Sequence, residues 1–230
     1  MATTGPSVAH FGKRLREEFS ALADKGRAEG AAAYMRNLFP FYGIATSERR
    51  LVVRELEKEI GFPDDLLSLA EKLWNEDERE YQYAAYDILE RKRKTLGLEH
   101  LPVIEKLITQ KSWWDTVDVL APRIAGPILR TEPQALRDLT HKWIESENFW
   151  LQRSAIIVQL SYKGDTDREL LFHHIKRRAS SKEFFVRKGA GWALRELSKT
   201  DHNAVRTFVA NHRDVLSPLT IREGTKYVSM

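Results

Sequence analysis

The 230-residue sequence contains no cysteine. This absence excludes disulfide bonds, thiolate metal sites and a cysteine nucleophile, and it removes any reason to expect an oxidising compartment. Long apolar runs are missing too, both in the first thirty residues, where a secretory signal would need one, and over the length that a membrane span requires. The sequence therefore predicts a cytoplasmic protein with neither a signal peptide nor a membrane-spanning helix.

Charge is distributed unevenly along the chain. Residues 1–110 carry 17 Lys and Arg against 19 Asp and Glu, whereas residues 111–230 carry 20 against 14. A basic C-terminal half is compatible with a polyanion partner, although a solvated basic helix surface is the commoner cause. Charge alone therefore leaves both interpretations open.

Apolar residues recur with the 3.6-residue period of helices, and the alternating pattern of strands is missing. Short Gly- and Pro-containing breaks, among them Gly97, Gly126-Pro127 and Gly164-Asp165, separate the periodic segments. The pattern predicts an all-α protein, a single domain over residues 1–230, with twelve to fourteen helices. The predicted helices are 7–24, 28–39, 47–60, 64–74, 78–95, 98–109, 113–124, 134–145, 148–162, 166–179, 183–198, 203–213 and 218–228.

A repeat of about 35 residues is visible in the sequence. EYQYAAYDIL at 80–89 aligns with FWLQRSAIIVQL at 149–160 at twice this offset, and EFFVRKGAGWAL at 183–194 aligns one offset later. Such a period is typical of stacked helical pairs, whose equivalent positions form a row along one surface. The row predicted to line a ligand groove consists of Tyr83, Asp118, Arg153 and Lys188.

The 35-residue period predicts one more repeat between 80–89 and 149–160, and KSWWDTVD at 111–118 lies at that place. This segment combines two tryptophans with two carboxylates. Ser112 and Asp115, three residues apart, form the pattern of a capping box. We therefore expect Ser112 to be the N-cap of a helix, and Asp115 to cover its free amides and the positive end of its dipole.

The two tryptophans of this helix should lie on different faces. Trp113 shares an apolar face with Val117 and Leu120 and is expected in the core. Trp114 shares its face with Asp118, four residues later. A bulky aromatic beside a carboxylate, on a face that packing does not need, indicates a function.

A second face of this kind carries Lys188, Trp192 and Arg195, spaced four and three residues apart. A tryptophan at the edge of the core with snorkelling neighbours is the alternative. Tryptophan faces attract cations, a carboxylate stabilises developing positive charge, and Arg and Lys hold phosphates. A ligand that suits all three kinds of group is a cation within a polyanion. An alkylated purine in DNA is of this kind, because its base is positively charged, and the base is already a good leaving group.

Several segments resemble the AlkD family of bacterial alkylpurine DNA glycosylases. The closest similarity lies in ITQKSWWDTVDVLAPRI (108–124), NFWLQRSAI (148–156) and SSKEFFVRKGAGWALRE (180–196). It extends to AAYMRNLFPFYGIATSERR (32–50) and EREYQYAAYDIL (78–89), and so covers nearly the whole chain. The resemblance implies a right-handed solenoid of HEAT-like antiparallel helical pairs with a concave basic groove.

The resemblance also implies an activity and the residues for it. The family hydrolyses the N-glycosidic bond of 3-methyladenine and 7-methylguanine in double-stranded DNA, without a cofactor, a metal or base flipping. Its catalytic positions correspond to Trp114, Asp118, Arg153 and Trp192. We expect Asp118 to stabilise the sugar cation, the two tryptophans to flank the lesion, and Arg153 to grip a phosphate bidentately while fixing Asp118.

Other residues are candidates for contacts to DNA. Tyr34 matches an aromatic near the family's lesion site, with a core role as the alternative. The basic candidates are Lys176 with Arg177 and Arg178, Arg187, Lys188 and Arg195. The resemblance further suggests a monomeric, nucleoid-associated protein.

Competing functions remain open from the sequence. A non-catalytic helical-repeat scaffold that binds DNA or an acidic protein is one alternative, and a damage sensor without activity is another. A pure phosphate binder gains nothing from Asp118, which favours the enzyme. The seven histidines show no metal-ligand spacing, and the adjacent His173 and His174 are expected at the surface.

Overall fold

The computed structural model describes residues 5–228, which form fourteen α-helices and no strand. The chain divides into two compact units, Met1–Thr95 and Leu96–Met230. The prediction of an all-helical repeat protein is confirmed. Within the described residues, no helix has both the length and the apolar character needed to span a membrane.

The first unit contains five α-helices. They are α1 (Val8–Ala21), α2 (Lys25–Tyr34), α3 (Thr46–Ile60), α4 (Leu66–Asn75) and α5 (Arg79–Arg91). Aspartates begin two of them: Asp24 accepts a hydrogen bond from the Arg27 amide at 2.9 Å, and Asp65 accepts one from the Ser68 amide at 2.9 Å. These side chains satisfy amides that the first helical turn leaves without partners.

The second unit contains nine α-helices within the described residues. They are α6 (Leu101–Thr109), α7 (Trp114–Val119), α8 (Gly126–Arg130), α9 (Pro133–Glu145), α10 (Phe149–Ile157), α11 (Arg168–Arg177), α12 (Phe184–Ser198), α13 (His202–Asn211) and α14 (Pro218–Gly224). Helix α10 packs between α9 and α12, and α14 packs closely on α12.

Consecutive repeats are joined by ion pairs at nearly constant sequence separation. In the second unit, side chains 32 to 37 residues apart meet in Arg177–Glu145, Arg168–Asp201, Arg130–Asp165 and Lys142–Glu105. The 35-residue period of the sequence is therefore the spacing between neighbouring repeats, and equivalent positions lie side by side.

The predicted helix break at Gly126-Pro127 is wrong. A π-helical turn over Leu120–Ala125 connects α7 directly to α8, and the proline occupies the first turn of α8, where it needs no amide partner. Gly126 serves packing instead, because a Cβ there would lie 2.6 Å from the carbonyl oxygen of Val158. The hydroxyl of Tyr162 donates to the Gly126 carbonyl at 2.6 Å.

Two local predictions also need correction. Ser112 is not an N-cap: its hydroxyl donates to the Ile108 carbonyl at 2.7 Å and closes the end of α6, while Trp113 precedes α7 as its N-cap. Asp115 does lie in the first turn of α7, where the helix dipole favours a carboxylate. His174 is fully buried, since adjacent helical positions face different directions and only His173 faces solvent.

Candidate active site

The start of α7 is anchored by an aromatic cluster. Trp113 has an extended backbone, and its half-buried ring meets Trp150 and Phe185 edge-on, with centroids 5.8 and 5.0 Å apart. Val117 and Leu120 are fully buried, as the predicted apolar face requires. The cluster fixes where α7 begins and therefore where the next turn places Asp118.

Asp118 of α7 and Arg153 of α10 form a bidentate ion pair. Arg153 Nε donates to Asp118 Oδ1 and Nη2 donates to Oδ2, both at 2.8 Å. The side chain of Arg153 is 4% exposed and that of Asp118 is 20% exposed. The arginine thus holds the carboxylate from the protein side, and part of the Asp118 side chain stays accessible to solvent.

The guanidinium is held on its other sides by α12. Arg153 Nη1 donates to the Phe185 carbonyl, and its Cζ lies 6.0 Å from the ring centroid of Trp192. Gly189 provides the space, since a Cβ there would lie 3.0 Å from Nη1. All three guanidinium nitrogens donate to protein oxygens, which matches the predicted role of Arg153 in fixing Asp118, while its contact with a phosphate stays a prediction.

Burial changes the acidity of the carboxyl group. Desolvation raises the pKa of Asp118 above its ordinary value, the hydrogen bonds and charge of Arg153 oppose this rise, and the negative charge of Asp115 adds slightly to it. A carboxylate in such surroundings interacts strongly with a nearby cation, because little water screens it.

Both predicted tryptophans are half-buried. Trp114 opens α7 and shares a helix face with Asp118, while Trp192 of α12 lies beside Arg153. The structure therefore brings Asp118, Arg153 and Trp192 into one chain of contacts, with Trp114 on the same face of α7 as the carboxylate.

Sequence reasoning missed Glu223 of α14. One of its oxygens lies 2.7 Å from Lys188 Nζ and the other 3.0 Å from Arg195 Nη1. These contacts lower the pKa of Glu223, with the Lys188 hydrogen bond as the largest cause. The 35-residue pattern could not reveal this residue, because α14 is a single short helix after the last matched repeat.

The other candidates for DNA contacts lie in different surroundings. Arg187 is half-buried, and its Nη2 donates to the Lys182 carbonyl at 2.5 Å. Lys176 is exposed on α11. Tyr34 ends α2 in the first unit with 73% of its surface exposed, which contradicts a core role.

The two arginines that follow Lys176 have structural roles. Arg177 forms a bidentate pair with Glu145, and Arg178 Nε donates to the Ile144 carbonyl at 2.6 Å. Both contacts lie at the C-terminal end of α9, where Arg178 satisfies a carbonyl that lacks a helical partner. That Arg177 and Arg178 contact phosphates stays a prediction, which would require these arginines to combine it with the contacts to Glu145 and Ile144.

Comparison with known proteins shows the family of the chain. The family model of the DNA alkylation repair enzymes matches residues 15–228. The solved structure of a predicted DNA alkylation repair enzyme from Enterococcus faecalis is 33% identical, with a TM-score of 0.82 over 90% of this chain and 97% of the other.

A second solved structure, AlkD2 from Streptococcus mutans, shares the fold at 17% identity, with a TM-score of 0.66 over 97% of this chain and all of the other. No curated protein matches the chain. The full-length family match and the similarity to the Enterococcus faecalis structure place this chain in the AlkD-like family of DNA alkylation repair enzymes.

Proposed function

We propose that the protein is a monofunctional DNA glycosylase that hydrolyses the N-glycosidic bond of cationic alkylpurines in double-stranded DNA. The substrates are 3-methyladenine, 7-methylguanine and bulkier N3 or N7 adducts. The observation that carries the proposal is the bidentate pair of Asp118 with a buried arginine, in which the Asp118 side chain stays 20% exposed to solvent.

The chemistry needs only a fixed negative charge. An alkylated purine already carries a positive charge, so it leaves without protonation, and the deoxyribose becomes an oxocarbenium-like cation. A carboxylate at fixed distance stabilises that cation more than it stabilises the neutral sugar, which lowers the barrier. The two lone pairs that Arg153 leaves unused on Asp118 can also orient the attacking water.

The aromatic side chains supply the second part of the proposal. Trp114 shares a face of α7 with Asp118 and Trp192 lies beside Arg153, and the faces of such rings attract a cationic nucleotide. Arg153 acts as a positioning residue, because its nitrogens are all engaged within the protein. Lys188, Arg195, Arg187, Lys176 and Tyr34 are proposed contacts to the DNA backbone.

We propose that the lesion stays outside a deep pocket, in contrast to enzymes that flip their target base. One cavity of the second unit, between Gln159 and Leu197, is lined by none of the four proposed site residues. The side chain of Asp118 is partly exposed, and Trp114 and Trp192 are half-buried. This arrangement suits a base that remains near the duplex, and it leaves room for bulky adducts. A monomer suffices, because one chain supplies all four residues.

The test is single-turnover release of 7-methylguanine from a defined duplex. Asp118→Asn keeps the shape of the side chain but removes its charge, so we expect release to fall by about 100- to 1,000-fold while affinity for the duplex is retained. Asp138→Asn, the same charge change at an exposed position of α9, is the matched control and should release the base at the wild-type rate.

Two outcomes would contradict the proposal. Equal rates for wild type and Asp118→Asn would mean that the carboxylate does not act in the transition state. Binding of the duplex without release of 7-methylguanine or 3-methyladenine by the wild type would identify a scaffold or damage sensor instead.

A further inference from the structure

Three histidines converge between two helices that carry none of the residues Trp114, Asp118, Arg153 and Trp192. His141 of α9 and His173 and His174 of α11 each offer a ring nitrogen, and these three nitrogens lie within 4.8 Å of one another. The ring of His141 stands edge-on to both others, at 89° and with centroids 5.3 and 5.4 Å apart. The rings are therefore not stacked face to face.

The hydrogen bonds of His174 fix its tautomer. The Thr140 hydroxyl donates its hydrogen to the Leu136 carbonyl at 2.7 Å, so its oxygen must accept from His174 Nε2, which lies 2.9 Å away. Nε2 therefore carries the proton, and Nδ1 carries a lone pair. This arrangement, with one ring nitrogen donating to a protein oxygen, is the one that orients histidine ligands in metal sites.

The remaining nitrogen of His174 is left without a hydrogen bond. Its Nδ1 is fully buried and has no partner among residues 5–228. A buried acceptor without a donor is costly, and native structures rarely retain one without a ligand or ordered water. The nearest carboxylate, Glu145, is already paired with Arg177 and Arg178.

We propose that His141, His173 and His174 bind one divalent transition-metal ion of the Zn(II), Co(II) or Ni(II) type. Neutral imidazole is a preferred ligand of these ions, and water completes a tetrahedral shell on the solvent side. Tetrahedral zinc places ligand nitrogens about 3.3 Å apart. The exposed side chains of His141 and His173 can close onto the fixed His174, and the ion then links α9 to α11.

The site is separate from the proposed glycosylase chemistry, because Asp118, Arg153 and Trp192 lie on α7, α10 and α12. The expected role is therefore stabilisation of the helical pairs rather than base release. Binding of the ion should raise the midpoint of thermal unfolding and leave the rate of 7-methylguanine release unchanged.

The experiment uses the full chain without a polyhistidine tag, first treated with a chelator. Titration with Zn(II) against a chromophoric chelator should show one equivalent bound, and Co(II) should give the visible absorption of a tetrahedral site. His141→Ala and His173→Ala should each weaken binding at least tenfold. His202→Ala, which removes an exposed histidine from α13, should bind as the wild type does.

A further variant tests the buried tautomer. Thr140→Val keeps the size of the side chain but removes the acceptor for His174 Nε2, so we expect binding to weaken by about 10- to 100-fold in a protein that still folds. The proposal is overturned if Zn(II) and Co(II) do not bind, or if His202→Ala weakens binding as much as His141→Ala does. Because His141 and His173 are exposed, we expect both variants to fold, and circular dichroism checks this.

Discussion

Asp118 and Arg153, 35 residues apart in the sequence, meet in a bidentate ion pair whose arginine is almost completely buried. Either charge alone would destabilise the protein at this place, because the desolvation free energy of an unpaired ion is far larger than the stabilisation from an ordinary contact. The arginine therefore has two effects: it keeps the carboxylate ionised, and it keeps it in one orientation. Both effects suit the proposed role of the Asp118 carboxylate, whose negative charge must face the developing sugar cation.

Removal of Arg153 should destabilise the protein more than removal of a surface arginine. In Arg153→Met the carboxylate of Asp118 loses its partner, and we expect the free energy of unfolding to fall by about 3–5 kcal/mol. Addition of Asp118→Asn to this variant should recover part of the loss. Urea denaturation measures both changes in the free energy of unfolding.

The chain provides a matched control for this comparison. Arg130 and Asp165 are also 35 residues apart and paired, but their side chains are 47% and 67% exposed. Arg130→Met should cost at most about 1 kcal/mol, because water screens the exposed pair. Equal costs for the two arginines would contradict the assignment of Asp118 and Arg153 as a buried pair.

The raised pKa of Asp118 predicts where activity is lost in acid. Activity needs the ionised carboxylate, so it should fall as pH decreases through a midpoint above the ordinary aspartate value of 3.8. Single-turnover release of 7-methylguanine measures this midpoint. Asp115→Asn should move it to lower pH, because the charge of Asp115 raises the pKa of Asp118. A midpoint unaffected by this variant would show that another group titrates.

The sequence was most informative where the repeat and the helical period act together. The 35-residue period and the i to i+4 spacing were enough to predict the helices and to select Asp118 and Trp114 from two carboxylates and two tryptophans. Side-chain direction between helices was not predictable. Arg153 seemed suited to phosphate, and only the packing of α7, α10 and α12 shows that its nitrogens turn inward.

Other errors have the same physical origin. Gly126-Pro127 has the composition of a turn, but tertiary packing against Val158 and a π-helical turn keep it helical. Glu223 follows the last repeat, so no equivalent position pointed to its contacts with Lys188 and Arg195. Long-range contacts of this kind leave no local pattern in a single sequence.

Gly189→Ala should lower activity and leave stability nearly unchanged. The added Cβ would lie 3.0 Å from Arg153 Nη1, so the guanidinium must shift, and Asp118 shifts with it. We expect base release to fall at least tenfold, since small misplacements of catalytic groups are costly. Stability should change little, because the higher helix propensity of alanine, worth about 1 kcal/mol, offsets the strain.

Gly26→Ala in α2 is the control for this substitution. Its Cβ would meet only Asp24 Oδ1, at an ordinary 3.6 Å, so activity should stay at the wild-type level. Both variants are compared by single-turnover release and by thermal unfolding. Full activity of Gly189→Ala would show that the position of Arg153 does not limit catalysis.

Lys188→Ala should weaken binding to all duplexes alike. If Lys188 leaves Glu223 to contact a phosphate, its removal reduces the magnitude of the negative slope of log K for DNA binding against log salt concentration by about 0.9. Lys58→Ala in α3, where the lysine is 71% exposed and paired with Glu55, should keep the wild-type slope. Fluorescence anisotropy at several salt concentrations measures both. An unchanged slope for Lys188→Ala would remove this lysine from the proposed DNA contacts.

The lowered pKa of His174 predicts that stability depends on pH, independently of catalysis. Burial, and then the charges of His141 and His173, lower its pKa from 6.5 to about 3, while Glu145 acts in the opposite direction. Between these values the unfolded chain binds a proton that the folded chain does not. Stability is therefore fully present above pH 6.5 and decreases on acidification, by at most about 1.4 kcal/mol per pH unit from this residue.

His174→Gln removes the titrating group while its amide can still donate to Thr140. We expect the variant to lose less stability than the wild type between about pH 7 and about pH 5. Urea unfolding in the presence of a chelator measures the difference without bound metal. His202→Gln, at an exposed position, should retain the wild-type dependence. The same slope in His174→Gln and wild type would mean that His174 is protonated in the folded protein, and a protonated ring has no lone pair on Nδ1 with which to bind a metal ion.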